Sequence, residues 1–317
     1  MLGRLVNDLL ARVPADYPWG DTKALFLEAD WRACNLECVI SDRGEPWGMT
    51  PKAFHFRSDA KNIATLKSAK IDAVSLANNH TLDFEYDAMF EMLRLLDAAG
   101  IQHAGAGLDL TQAAMPAISR VKGMTIGMIA ITDNQPEWEA RPGHPGIFYS
   151  PIDETDERAQ KVFQALREMR AVTDVAILSA HWGPNWGYKA PAGHVRFAHA
   201  LIDAGADIVF GHSGHVFRGI EVYKRRPIIY CAGNFIDDYA VDEIERNDES
   251  FVFVVEVSDA RVISMRLHPA QIVQSQATMA RGERAEQIAY KMASLCADMG
   301  TPIRWLETEQ VLQISGF

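Results

Sequence analysis

Several things are missing from this chain of 317 residues. No run of about 18 apolar residues occurs, so nothing reads as a helix that crosses a bilayer. The amino terminus, MLGRLVNDLLARVPADYPWG, is a short amphipathic stretch rather than a charged start followed by a long apolar run, and so lacks the pattern of a signal peptide. Cysteine is scarce: Cys34, Cys38, Cys231 and Cys296 are the only four. Asn-Leu-Glu separates the first two, which is not the Cys-x-x-Cys spacing of redox or zinc motifs. They read as free thiols in a reducing compartment, and with no span or leader the expected location is cytoplasmic. Positive charge is in deficit. Lys plus Arg number 31 against 42 Asp plus Glu, a net charge of −11, which argues against a nucleic-acid partner because phosphate affinity rests on clustered basic residues. An anionic substrate stays open, since a bound divalent cation brings its own positive charge. Repeats, low-complexity tracts and linkers are also absent. One domain over residues 1–317 is expected, with a core to about residue 268 and a helix and tail over about 269–317.

What is present is patterned. The apolar fraction of 48% and charged fraction of 23% are those of a globular protein with a buried core. Ile71–Leu76 reads as a buried strand, and Asp83–Gly100 as a helix with Met89, Met92, Leu93 and Leu96 on one face. Strands are expected at 101–104, 117–121 and 125–132, a helix at 154–172, a strand at 174–180, a helix at 194–205 and a strand at 207–210. Four further strands, at 216–223, 227–232, 251–257 and 261–267, follow without helices between them, and a helix at 283–299 closes the pattern. Strand–helix alternation followed by consecutive strands suits an α/β fold with two sheets face to face and helices outside.

Four segments place possible metal ligands directly after strands: Asn35-Leu36-Glu37, Asn78-Asn79-His80, His181-Trp182-Gly183 and Gly211-His212-Ser213-Gly214-His215. That edge is where α/β sheets build sites. Each has a plainer reading alone. Asn78-Asn79-His80 can be a turn, His181 a strand-end histidine with a local partner, and Glu37 a solvated carboxylate. The glycines around His212 and His215 would let two imidazoles converge. Together the segments supply a carboxylate, a carboxamide and several imidazoles, a mixed set suited to Mn, Fe, Zn or Ni.

The segments NLEC, SLANNHTLD, GAG, HWGPNWGY, LIDAGADIVFGHSGHV and IIYCAGNF resemble the successive motifs of the CapA-type capsule and poly-gamma-glutamate synthesis family, from about Met1 to about Val257. That family is related to the calcineurin-like metallophosphoesterases. The resemblance implies a four-layer α/β/β/α sandwich with two divalent metals between the sheets. Glu37 would bridge the metals, and Asn79, His181 and His212 would serve one of them. His215 would serve the other. His80 would be the acid or transition-state donor, and Asp83 would orient His80 or its loop. The family's first strand ends in Gly-Asp ahead of residues like Met1-Leu2-Gly3-Arg4, so the resemblance implies a further strand and an aspartate ligand upstream of Met1. Lacking them, the chain as given is expected to bind one metal better than two and to have impaired activity.

Other residues carry weaker expectations. Arg57, in Phe54-His55-Phe56-Arg57, and Arg218 can approach an anionic substrate, or serve structure and surface. Trp182, Trp186 and Tyr188 can wall a pocket or pack beneath their loop, and Lys189 can meet an anion or water. His194 and His199 are expected to pack on a helix. The acidic run Asp237, Asp238, Asp242, Glu243 and Glu245 reads as a solvated loop face. Three functions compete. One is a metal-dependent hydrolase acting on a phosphoester or related polyanion. A second is a non-catalytic accessory protein that holds capsule or poly-gamma-glutamate polymer. The third is an amide hydrolase of gamma-glutamyl bonds.

Overall fold

The computed structural model describes residues 1–317 as an α/β fold in which sheets are stacked and helices cover their outer faces. The largest sheet has six strands in the order Ile220–Tyr223, Arg226–Ile229, Ile208–His212, Val175–His181, Met124–Thr132 and Ala117–Val121. Its four inner strands are parallel, and the two edges are antiparallel hairpin partners. All seven residues of Val175–His181 are buried, as expected of a central parallel strand covered on both faces. Helices Glu157–Arg170 and Ala192–Asp203 seal one face through Val162, Phe163, Leu166, Phe197 and Leu201. Asp156 caps the first of them by accepting the Arg158 N–H.

A second, parallel sheet holds Ala33–Asn35, Ala73–Ser75 and Gln102–Ala104. Helix Glu85–Ala99 lays Met89, Met92 and Leu96 against it, and ends where Gly100 turns left-handed at φ 71°. Between the sheets the side chains are small: Ala73, Ala77, Ala104 and Ala130. Gly105 sits at this close approach, where a β-carbon would come within 2.6 Å of Ala77 and 2.9 Å of Ala130.

The carboxy-terminal region forms a third sheet, Glu249–Ser258, Arg261–Val273, Val311–Ser315 and Arg304–Leu306, with Gln276–Met279 paired to its long strand. The boundary expected near residue 268 falls inside the Arg261–Val273 strand. The supposed tail supplies three strands, and helix Glu283–Asp298 buries Ile288, Ala289, Met292 and Cys296 in the same core as Met128 and Ile177. Strand Ala33–Asn35 and strand Glu249–Ser258 each lack a neighbour on one side. The bond from Leu36 N–H to Ser75 O turns the backbone groups of Ala33 and Asn35 to the free side, and that from Ile272 N–H to Asp248 O does the same for Phe251 and Phe253. A cavity of about 200 Å³ lies between these edges, lined by Met1, Leu2, Cys34, Phe210, Phe251 and Phe253. No helix is long and apolar enough to cross a membrane.

Candidate metal and acid–base site

The site is built at the carboxyl ends of strands from both facing sheets. Parallel register pairs His181 with His212 across adjacent strands, and their Nδ1 atoms face each other at 2.9 Å. Ser179, on the same strand face as His181 because side chains alternate, has its Oγ 2.8 Å from His212 Nε2. That contact occupies the outer nitrogen of His212 and leaves Nδ1 toward His181, the way partners on the far nitrogen set an imidazole's orientation. Gly211 allows the arrangement: a β-carbon there would press into the Tyr230 carbonyl and come within 2.8 Å of Trp182 Nε1. Beyond His212, Ser213 has φ 108°, a conformation side-chain-bearing residues seldom adopt, and this turns the chain so that His215 follows. His215 Nδ1 lies 3.1 Å from Asn234 Oδ1.

The second sheet contributes Glu37, just after its first strand. Asn35 Nδ2 donates to Glu37 Oε2 at 3.0 Å, and Glu37 Oε1 is 3.9 Å from His181 Nε2. Asn78 ties the second strand's end to the first by donating to Asn35 Oδ1 and Leu36 O. It also accepts the N–H of His80 at 3.0 Å. Asn79 and His80 thereby reach a polar cleft of about 270 Å³ that Glu37, His215, Ser213 and Tyr239 also line. His80 Nδ1 lies 2.6 Å from Asp83 Oδ2, and the ring of Phe56 stacks on it at 3.9 Å. The Phe56 N–H also donates to Asp83 Oδ2.

Burial dominates the electrostatics. It pushes Glu37 up to about 7, with Asp237 and Asp83 adding to the rise while the chain's amino terminus opposes it. Burial holds His181 well below the ordinary histidine range, helped by His212, and lowers His212 to about 3. His80 is also well below that range, through burial and then Lys52. Burial lowers His215, against the hydrogen bond to Asn234 Oδ1. Neutral imidazoles are the form that offers a lone pair to a cation.

The structure thus brings Glu37, His181 and His212 into direct proximity, and puts Asn79, His80 and His215 around the cleft that Glu37 shares. Three expected substrate residues lie elsewhere. Trp182 is buried and donates from Nε1 to Tyr230 O, so it packs beneath the loop instead of walling the cleft. Arg218 is buried too, donating to the Gly187 and Pro184 carbonyls, and braces the loop after His181. Arg57 lies over the Phe84 ring and donates to Gly44 O. Its neighbour Phe56 is the one that reaches the site. Trp186 is half exposed and stands 5.4 Å from His215 at the rim. Tyr188 is tied by its hydroxyl to Glu245 O. Asp237 is not a solvated carboxylate: it is buried, and burial pushes it up to about 6.

Sequence reasoning missed Ser179, Lys52 and Asp133. Strand alternation from His181 points to Ser179. Asp133, just past the Met124–Thr132 strand, accepts the Gly183 N–H and lies 3.1 Å from His194 Nε2, holding the start of the loop. Lys52 belongs to no motif and is set by tertiary packing alone.

The donor types fit a divalent cation. Asn79 Oδ1 is buried with no hydrogen-bond partner, which leaves a costly unsatisfied acceptor that a cation would satisfy. Glu37 and the imidazoles of His80 and His215 line the same cleft as Asn79. As they stand, no three His, Cys, Asp or Glu side chains are close enough to form a complete ligand group, and His181 and His212 share a hydrogen bond in its place.

With this geometry, the comparisons with known proteins agree on a family. Residues 1–239 match the family described as bacterial capsule synthesis protein PGA_cap. Over 285 residues, 85% of this chain and 74% of the relative, the chain is 33% identical to a probable polyglutamine synthesis accessory protein of Mycobacterium tuberculosis. It is 27% identical over 240 residues to the PGA biosynthesis protein CapA of Bacillus subtilis, covering 75% of this chain and 61% of that one. The capsule biosynthesis protein CapA of Bacillus anthracis is 25% identical over 243 residues, covering 75% and 58%. Among solved structures, a hypothetical protein from Thermus thermophilus aligns with a TM-score of 0.43 and 15% identity over 81% of this chain and 87% of that one. The chain belongs to the PGA_cap family of bacterial capsule synthesis proteins.

Proposed function

We propose that this protein is a divalent-cation-dependent hydrolase of the capsule and poly-gamma-glutamate class, acting on a phosphoester or a related polyanionic bond. The observation that carries the reading is the meeting of Glu37 with His181 and of His181 with His212, together with Asn79, which lines the same cleft as Glu37 and whose Oδ1 is buried without a hydrogen-bond partner. In this reading Glu37, Asn79, His181 and His212 hold the cation, with His215 serving a second. The cation, of the Mn, Fe, Zn or Ni type, supplies Lewis-acid activation of water and charge for the reacting oxygens. His80, oriented by Asp83, moves the proton at the leaving group, a contribution of about 10²–10⁴-fold. Phe56 fixes the His80 ring, and Trp186 stands at the cleft rim. All four cysteines are free thiols, and we assign the activity to a reducing, cytoplasmic compartment.

The purified chain with Mn²⁺ is expected to hydrolyse an aryl phosphate slowly. His181→Ala should abolish the activity, and His80→Ala should lower it by about 10²-fold or more. Turnover that survives both substitutions would place the chemistry elsewhere. The second reading is a non-catalytic accessory protein that holds an anionic polymer, and the closed His181–His212 hydrogen bond favours it. It predicts binding of poly-gamma-glutamate without turnover at any added cation.

A further inference from the structure

Lys52 is a buried cation with a defined set of partners. Its side chain is 8% exposed, and Nζ lies 3.2 Å from Asp83 Oδ1. It donates to the backbone carbonyl of Asn79 at 2.6 Å and sits 5.1 Å from the centre of the Trp138 ring. A desolvated ammonium is expensive unless it is paired and hydrogen-bonded, so this side chain holds a single position. The Asp83 contact is an ion pair without an aligned hydrogen bond, since Oδ1 has no hydrogen-bond partner. Its other oxygen takes His80 Nδ1 and the Phe56 N–H.

We propose that Lys52 is a positioning residue that locks the Asn79–His80 turn and sets the proton of His80 on Nδ1. This rests on the reading of the cleft as an active centre. Lys52 joins two things that must keep register: the carbonyl of the residue whose side chain serves the cation, and the carboxylate that orients the acid. By pairing Asp83 Oδ1 it keeps the carboxylate an acceptor toward His80, so His80 carries Nδ1–H and its Nε2 is left for the cleft. Trp138, itself edge-on to Trp47 at 5.3 Å, forms the wall behind the ammonium. The Trp47 N–H donates to Asp83 O, so the 47–52 segment is anchored to the same turn at both ends.

The test uses the ¹⁵N-labelled full chain, with the His80 ring signals assigned by their loss in His80→Gln. Two-bond proton–nitrogen correlations then report which ring nitrogen is protonated. The native protein is expected to give the Nδ1–H form, and Lys52→Met to lose it. Asp83→Asn should produce the same loss, and the Lys52→Met/Asp83→Asn double variant no more than Asp83→Asn alone, as for residues that act through one contact. Mn²⁺ affinity of Lys52→Met should fall about tenfold or more, the usual effect of removing a group that orients a ligand. Lys52→Gln, which keeps an amide donor for the Asn79 carbonyl but not the charge, is the second variant. It is expected to lose the tautomer while keeping most of the affinity, and it carries the test if Lys52→Met does not fold. An unchanged His80 tautomer in the folded Lys52 variants, or additive effects in the double variant, overturns the proposal. If the native chain neither binds Mn²⁺ nor hydrolyses phosphoesters, the hydrolase reading fails, while the tautomer comparison still decides the role of Lys52.

Discussion

Glu37 concentrates the chemistry of the site into one proton. Burial raises it from 4.5 to about 7, so the folded, metal-free protein keeps a proton that the unfolded chain releases. The sign follows from linkage. The stability contributed by this group is present at low pH and is lost as pH rises from 4.5 to about 7. A cation held by Glu37, as the proposed function requires, would displace the same proton. His181 and His212, already held neutral by burial, compete little. Mn²⁺ affinity should therefore rise about tenfold between about pH 6 and about pH 8, with proton release near one at the lower end and near none at the upper. Calorimetry in two buffers of different ionisation enthalpy reads that release directly. Glu37→Gln should weaken binding and flatten its pH dependence. A native affinity that is flat across this range would mean the carboxylate is not displaced. The buried histidines act in the opposite sense on stability below about pH 6.5, so the Glu37 share of stability is read as the difference between native and Glu37→Gln melting.

Among the elements, the strand Ile208–His212 matters most to the site. Its register beside Val175–His181 places the two imidazoles side by side, and Gly211 lets the Tyr230 segment pass close behind. Gly211→Ala should cost about 1–3 kcal/mol as an overpacked contact and shift His212 off Ser179. Thermal melting checks the first effect, and loss of Mn²⁺ binding at constant fold checks the second. Substitution of Gly123, where a β-carbon would meet nothing within 4 Å, is the matched control, although its φ of 85° makes a small strain cost expected there. If both variants melt alike, close approach at Gly211 is not what limits the strand. The motif around His212 was legible because its glycines and histidines cluster within a few residues. Its strand extends further than the apolar run, since His212 continues the ladder at a position apolar patterning does not mark.

For the molecule as a whole, the carboxy-terminal region from Glu249 onward is part of the core. Helix Glu283–Asp298 shares one apolar cluster with Met128, Ile177 and Phe251, and Glu249 meets Arg284 and Lys291 across the junction at 2.5 and 3.6 Å. Cutting after residue 268 would split the Arg261–Val273 strand and strip the Val311–Ser315 strand from it. A chain ending there is expected to show no cooperative melt and to aggregate through its exposed strand edge. A soluble, cooperatively folding 1–268 fragment would show that the carboxy-terminal strands and helix are dispensable. The helix expected at 283–299 was legible in this region, but its strands, Gln276–Met279, Arg304–Leu306 and Val311–Ser315, were not, because they are short. Strands this short carry little periodicity, and their pairing partners lie up to about fifty residues away in the ladder Ser264 to Ser315.

Local sequence by itself determined the alternation of strands and helices, the buried central strands, and the four segments that carry Glu37, Asn79, His181 and the His212–His215 pair. Each is written in apolar runs, glycine turns and side-chain chemistry within a few neighbouring residues. Only the tertiary structure decided which side chains face the cleft. It sent Trp182 and Arg218 inward as braces, put Phe56 rather than Arg57 against His80, and seated Lys52 between Asn79 and Asp83. The physical reason is that a contact between segments depends on sheet order, register and loop path. A residue such as Lys52 has the same composition and flanking pattern whether it ends in solvent or buried beneath the Asn79–His80 turn.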